Sequence, residues 1–313
     1  MAPALPTPRR AALARRAALL ARIREFFAAR DVLEVSTPLL GAHATTEPTL
    51  SNLALARTTP PRYLRTSPES ALKQLLAAGS GDVYELGPVF RAGEHGGRHR
   101  EEFTLLEWYR TGLDHHALMD EVAALVVHCG YPAAPRPLAY AEVFAQALDL
   151  DPHTAPTEIL AARVAQTPLA LAPGDRSDRA LLLDALYAHA VEPLLARAGA
   201  VLLYDFPAEL RAYARLSVGA PPRAARFELV IDGVELANGY HEIVDAAEQA
   251  ACFAQENALR ARRSLATVEP DAAWLAALRT GMPDCAGVAL GVERLLMVLD
   301  GHTDIAAARP GEP

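Results

Sequence analysis

The run RFELVIDGVELANGYHE, residues 226–242, constrains the fold more than any other stretch of the chain. Apolar and β-branched residues alternate with polar ones on both sides of Asp232-Gly233. An Asp-Gly pair between two such runs is the strongest short-range signal for a two-residue hairpin, because both turn residues must take positive φ. An antiparallel strand pair is therefore expected here, with Glu228 and Glu235 on its opposite arms. Carboxylates meeting across a sheet repel unless a cation joins them, so the pair reads either as a Mg²⁺ site or as edge-strand charge placed for solubility.

Other segments agree with a sheet of this kind. VYELGPVFR and FTLLEWYR read as two strands joined by a glycine-rich, charged loop, too long for a tight turn and expected to be mobile. DVLEVSTPLL alternates and stops at Pro38, and AGVALGV forms a last strand that runs into the helix ERLLMVLDG. Helices are expected over the N-terminal stripe Leu19, Leu20, Ile23, Phe26 and Phe27, over TSPESALKQLLAAG with Ser67 as N-cap and Pro68 in the first turn, and over about 246–265. Residues 41–62 read as loop. Strands that come in hairpins rather than in βαβ rhythm point to an α+β fold, an antiparallel sheet flanked by helices. One domain is expected over 1–313, with a helical insertion at about 113–200.

Composition narrows the function classes. With 313 residues, 51% of them hydrophobic, the chain can bury a large core. A net charge of −8 argues against a broad phosphate-binding face for nucleic acid. Cys129, Cys252 and Cys285 are far apart, odd in number and lack CxxC spacing, which predicts a reduced, cytoplasmic protein without a disulfide or zinc framework. The Arg- and Ala-rich N-terminus is like a targeting segment, but Glu25 interrupts it and the apolar stripe is that of an ordinary helix. No segment approaches the ~18 apolar residues of a membrane span, so no membrane partner is expected. Lys73 is the sole lysine.

Three constellations carry chemistry. In FRAGEHGGRHREEFTLLEWYR, residues 90–110, Arg91 ends one strand and Phe103 begins the next, so both face one crevice. A guanidinium fork suits phosphate oxygens, and an aromatic ring beside it can stack a nucleobase. Glu107 and Tyr109 lie two apart on one strand face, and a buried carboxylate without a protein cation points to a cationic ligand. The second constellation is the Glu228/Glu235 pair with Asn238 and Glu242 close behind. The third is GVALGVERLLMVL, where Gly287 and Gly291 allow close approach of backbone to a ligand and Arg294 stands in the next helix's first turn.

In this order the segments resemble the signature motifs of class II aminoacyl-tRNA synthetases of the lysyl subgroup. DVLEVSTP is similar to the first motif, which builds a dimer interface, FRAGE…RHREEFTLLEWYR to the second and GVALGVERLLM to the third, over roughly residues 11–300. An anticodon-binding OB domain is not expected, and with it no tRNA partner. RTSPES, EFTLLEWYR, ELANGYHE and GMPDCAGVALGVERL resemble more closely the stand-alone paralogues, the elongation factor P–(R)-β-lysine ligases. That resemblance implies a homodimer that uses ATP and Mg²⁺ to activate (R)-β-lysine and transfers it to a lysine of elongation factor P. It implies that Arg91 holds the α-phosphate, Phe103 stacks on adenine and Arg294 holds the γ-phosphate. Ala92, Gly93, His99, Arg100, Glu235, Leu236 and Gly291 would complete the ATP site, and Glu228 and Glu235 would bind Mg²⁺. Ser67, Pro68, Glu69, Glu107, Tyr109, Asn238, Glu242 and Ala289 would form the amino-acid side. Ala289 stands where lysyl-tRNA synthetases typically have glycine, and its methyl would reshape the pocket for a β-amino acid.

The chain departs from the family pattern in places. RHREEF stands where the family reads RxHNPEF, so Arg100 and Glu101 replace Asn and Pro. Gly93 falls where a glutamate is expected, and Glu293 replaces an aspartate. Two other readings stay open from sequence: a synthetase-like ligase with a different acceptor, and a non-catalytic module that senses an amino acid or nucleotide.

Overall fold

A computed structural model describes residues 7–169, 171 and 173–309. Ten strands are present: β1 (Leu33–Glu34), β2 (Leu40–Gly41), β3 (Tyr63–Leu64), β4 (Val83–Phe90), β5 (Glu102–Thr111), β6 (Arg136–Ala139), β7 (Ala200–Pro207), β8 (Arg223–Ile231), β9 (Val234–His241) and β10 (Cys285–Gly291). Eight of them form one sheet in the order β1-β4-β5-β10-β9-β8-β7-β6. The six central strands are antiparallel, and the parallel strands β1 and β6 close the two edges. The Asp232-Gly233 turn has φ of 51° and 75°, as a two-residue hairpin with the sheet's twist requires.

Helices cover the sheet. The N-terminal helix α1 (Thr7–Ala28) and α3 (His115–His128) pack on one face, where Ile23, Phe26 and Phe27 are fully buried. Phe27 stacks on Tyr84 at 4.4 Å and meets the Trp108 ring edge-on, a cluster in which each side chain contributes roughly 1.5–3 kcal/mol by burial alone. The last helix, α10 (Val292–Leu299), continues directly from β10, which fixes Arg294 just beyond that strand's end. On the other face, α2 (Glu69–Ala77) lies near α8 (Ala246–Arg262) and α9 (Ala272–Gly281). Pro68, not Ser67, is the N-cap of α2 and makes no side-chain capping bond, although the Ser67 hydroxyl accepts from the Glu69 N–H at 3.0 Å.

The span expected as a helical insertion, 113–200, divides differently. Its first helix, α3, belongs to the main core, and β6 joins the sheet edge. Only α4 (Tyr140–Leu148), α5 (Thr157–Val164), α6 (Arg179–Leu186) and α7 (Glu192–Leu195) form a separate apolar layer, which packs on β7 and β8. Periodicity marks a helix without saying which layer it joins. The first-motif segment DVLEVSTP makes only the two-residue β1 and leaves Leu33 exposed, and Leu39 and Leu40, the latter in β2, are exposed just beyond it. The α9 helix has no counterpart among the expected elements. None of the described helices is long and apolar enough to cross a membrane.

Candidate active site

Strand register builds the floor of the site. Across five neighbouring strands one crosswise row reads Glu85, Glu107, Ala289, Asn238, Glu228, and the next reads Val83, Tyr109, Gly287, Tyr240, Arg226. Residues directly opposite in a ladder share a face, so each row lies on one side of the sheet. A bulge at Leu236 makes this possible. In an unbroken hairpin Glu235 and Asn238 would point to opposite faces, but the extra residue pairs Glu235 with Val230 and Asn238 with Glu228. Both then face the cleft while Leu236 turns its side chain into the core.

The cleft above this floor holds about 390 Å³. Of the residues expected at the site, Arg91, His99, Arg100, Phe103, Glu235, Leu236, Gly291 and Arg294 line it, and so do Ser67, Glu69, Glu107, Tyr109, Asn238, Glu242 and Ala289. Four are elsewhere. The N–H groups of Ala92 and Gly93 are bonded to the Ser51 carbonyl (2.8 Å) and the Glu101 carboxylate (2.8 Å), at the base of the loop and off the cleft wall. Pro68 lines a neighbouring cleft that shares Ser67 and Glu69 with the first. Glu228 lines a small adjoining cavity of about 140 Å³ together with Glu192 and Glu235.

At one end of the cleft the Arg91 guanidinium lies 5.0 Å from the Phe103 ring centre. The charged loop over it is held on two sides. Arg98 donates to the Gly233 carbonyl (3.1 Å), and Arg294 donates to the carbonyls of Arg98 (3.2 Å) and Glu235 (2.8 Å). On the other side the Gly97 carbonyl accepts from the Ile305 N–H at 2.8 Å, and Arg100 lies 3.7 Å from Asp304. The two departures from the family pattern thus have places in the fold: Arg100 ties the loop to the C-terminal turn, and Glu101 closes the loop's base through Gly93. Partial burial, reinforced by the Arg294 charge, holds His99 below the usual imidazole range.

At the other end, three carboxylates converge. Glu107, 3% exposed, accepts from the Ser67 hydroxyl (2.6 Å) and the Tyr109 hydroxyl (2.8 Å). No cationic side chain among the described residues bonds it directly. Burial, and next the charge of Glu69, push its carboxyl up to about 8. Glu69 and Glu242 instead share Lys73, whose ammonium lies 2.7 Å from each and 4.8 Å from the Trp274 ring centre. Burial opposes charge on Lys73, but the two carboxylates more than offset it and hold its pKa above the ordinary lysine value. Gly287 is required here: a Cβ would come within 2.3 Å of the Tyr109 ring and 2.6 Å of Glu242. At Gly291 a Cβ would meet only Arg294, at 3.8 Å, so that glycine leaves open space beside the loop.

Several functional candidates escaped the sequence reading. Lys73 drew notice only as the sole lysine, although its i,i+4 relation to Glu69 on a helix was a usable signal. Arg226, bonded to Glu228, to Asn238 (3.2 Å) and to the Leu210 carbonyl (2.7 Å), had none. Tyr213, Tyr240 and the loop residues Thr45, Glu47 and Thr49 also line the cleft.

An antiparallel sheet with an arginine at each side of a cleft, an aromatic ring beside one of them and an acidic floor is the arrangement expected of the class II synthetase kind, and the comparisons with known proteins agree with it. The family model of the class II tRNA synthetases (D, K and N) matches residues 7–152 and 184–310, and the unmatched stretch falls within the α5–α6 layer. Among curated proteins, the elongation factor P–(R)-β-lysine ligase of Vibrio cholerae is 42% identical over 98% of this chain and 97% of its own. Those of Vibrio vulnificus and Photorhabdus laumondii are each 41% identical, over 96% and 95% of this chain and 95% and 93% of theirs. The chain belongs to the class II tRNA synthetase family and, within it, to the elongation factor P–(R)-β-lysine ligases.

Proposed function

We propose that this protein activates (R)-β-lysine with ATP as an aminoacyl-adenylate and joins it to the ε-amino group of a lysine of elongation factor P. The relatives' names supply the substrates. The observation that supports them in this chain is the charge balance of the floor. Glu69, Glu107 and Glu242 bring three carboxylates together and Lys73 answers one. The two carboxylates left over, once ionised by ligand binding, match an amino acid with two ammonium groups.

In this reading Arg91 binds the α-phosphate and Phe103 stacks on adenine, their 5.0 Å spacing setting nucleotide and phosphate side by side. Arg294 holds the γ-phosphate and, through the Arg98 and Glu235 carbonyls, keeps the loop with His99 and Arg100 over the triphosphate. Glu107, Glu69 and Glu242 take the ammonium groups, with Ser67, Tyr109 and Asn238 fixing their orientation. Ala289, between Glu107 and Asn238 in the register, limits the depth of the pocket.

The donor set also fits Mg²⁺. Glu228 and Glu235 line one cavity and offer only oxygen, the ligand a hard cation takes. Burial, opposed by the Arg226 guanidinium, pushes the Glu228 carboxyl up to about 7, so a further cation would be welcome beside it. Glu228 and Glu235 would hold the ion, which would neutralise charge on the phosphates when bound.

The chain's own contribution to the chemistry is alignment and charge stabilisation. The substrate carboxylate oxygen bonds to the α-phosphorus as the bond to pyrophosphate breaks, with Arg91 placed to stabilise the charge on the α-phosphoryl oxygens. The acceptor amine then bonds to the acyl carbon, AMP leaves and one proton is lost from the nitrogen. The reading carries with it a homodimer formed through the exposed Leu33, Leu39 and Leu40 region and action in the cytoplasm, where the acceptor works.

The test is pyrophosphate exchange with (R)-β-lysine and with α-lysine, followed by mass spectrometry of purified elongation factor P incubated with enzyme, ATP and (R)-β-lysine. A mass gain of one β-lysyl group is expected. Exchange without a mass change would assign the enzyme to another acceptor, and no exchange with either amino acid would overturn the activity.

A further inference from the structure

On the side of the sheet edge away from the cleft, His115, His116 and Asp205 bring one ligand atom each within 4.8 Å of one another. None of the three lines the ATP cleft. We propose that they form a binding site for a transition-metal dication of the zinc class, separate from the Mg²⁺ site and independent of the ligase reading.

Distance is the first argument. His115 Nε2 lies 3.4 Å from Asp205 Oδ1, long for a hydrogen bond between an imidazole and a carboxylate. Bonds of 2.0–2.2 Å to a tetrahedral zinc ion place neighbouring ligands about 3.4 Å apart. The pair is thus spaced as two ligands of one ion.

Backbone geometry is the second. Asp205 stands at a bulge, where the register shifts between Tyr204 and Phe206 because Ala225 and Arg226 of β8 face it alone, and its φ is 59°. Left-handed backbone at a non-glycine residue is costly, and a bulge re-aims a side chain. Here it aims the carboxylate at the first turn of α3, where two consecutive histidines begin the helix.

Access and orientation are the third. His115 is 8% exposed, so an ion held by its Nε2 would be shielded on that side. His116 is exposed, which leaves the site a route of entry, and its ring lies 4.1 Å from that of His115. Arg223 bonds the other Asp205 oxygen at 3.2 Å, so it orients the carboxylate and leaves Oδ1 to the ion. Two imidazoles and one carboxylate, with no thiolate, suit Zn²⁺, Co²⁺ or Ni²⁺ rather than Mg²⁺ or Ca²⁺. A fourth position stays open to water. The His241 ring stacks 6.5 Å from His115, and the next residue is Glu242 of the cleft floor, so an ion here would also brace that strand end.

The probe is Co²⁺, whose visible absorption reports its coordination. The full-length protein, stripped with chelator and kept in excess Mg²⁺, is titrated with Co²⁺ and then with Zn²⁺. One equivalent bound, with visible bands that Zn²⁺ abolishes, is expected. His116→Ala, at an exposed position, and Asp205→Asn should each weaken binding at least tenfold while far-ultraviolet circular dichroism stays unchanged. No stoichiometric binding by the parent protein, or parent affinity retained in both variants, overturns the site.

Discussion

The Lys73 ammonium lies 2.7 Å from the Glu242 carboxylate, and at most 1% of either side chain reaches solvent. This pair sits under the cleft floor and sets how many negative charges a ligand meets there. Removing one member of a buried ion pair leaves the other uncompensated, at a cost of about 3–5 kcal/mol. Lys73→Met is expected to lower stability by that order in urea unfolding. The deficit should grow from pH 5 to 8, because without the cation the buried Glu242, already held above the ordinary carboxylate range, binds its proton more tightly and must lose it as pH rises.

Glu107 gives a pH dependence with a definite sign. Its carboxyl is held up to about 8 by burial and the Glu69 charge, against an ordinary 4.5. The folded chain therefore binds more protons than the unfolded one between about pH 4.5 and 8, and this group lowers stability as pH climbs through that window. Ammonium binding acts the other way, since it favours the ionised carboxylate. Affinity for (R)-β-lysine should rise from pH 6 to about 8 and level off, with proton release at pH 7. Calorimetry in two buffers of different ionisation enthalpy measures that release, and none at pH 7 would remove Glu107 as an ammonium ligand.

Gly287 is where packing and function meet most tightly. An added Cβ must displace Tyr109 or Glu242, and overpacking of this kind costs about 1–3 kcal/mol. Gly287→Ala should lower the melting temperature by several degrees and reduce amino-acid activation more than tenfold. Gly291→Ala, with open space around it, should leave the melting temperature of the free protein unchanged and weaken only ATP binding.

Arg100 and Asp304 should act together on the nucleotide loop. Arg100→Asn restores the residue usual in the family but gives up the contact with Asp304. Both Arg100→Asn and Asp304→Ala are expected to raise KM for ATP in pyrophosphate exchange a few-fold, with kcat nearly unchanged. An unaltered KM in both variants would show that the C-terminal turn does not steady the loop.

Much of this site was legible because its residues fall on alternating strand positions next to turn signals. Glu107 and Tyr109 could be placed on one face from parity alone, and Arg91 and Phe103 at one crevice from their places at the facing ends of two strands. Parity fails at a bulge. Nothing in ELANGY tells that Leu236 is the extra residue, and without it Glu235 and Asn238 would be assigned to opposite faces. The bulge at Asp205 is just as silent, since its neighbours in LLYDFP read as a plain strand and the extra residue lies across from it on β8. Lys73 shows a second limit. It is buried between carboxylates from α2 and the end of β9, and no local pattern reports that those two segments meet. The metal cluster shows a third, since two adjacent histidines and an aspartate ninety residues away have no ligand spacing to recognise.

Ala289 offers the sharpest test of substrate choice. Register puts its methyl group between Glu107 and Asn238, in the middle of the floor and in the cleft wall. Removing the methyl deepens the floor by one carbon without touching a charge. A (R)-β-amino acid carries its amino group one carbon further from the carboxylate than an α-amino acid does. A pocket tuned to one spacing therefore mispositions the other by about a bond length. One methyl group discriminates by about 1–3 kcal/mol, or roughly 10- to 200-fold in specificity. Ala289→Gly is thus expected to shift kcat/KM for pyrophosphate exchange at least tenfold toward α-lysine relative to (R)-β-lysine. Because Glu69, Glu107, Glu242 and Lys73 stay in place, exchange with some diamino acid should persist. Unchanged selectivity with full activity would mean that the β-amino preference is set elsewhere, with Asn238 and Tyr240 the next side chains to replace.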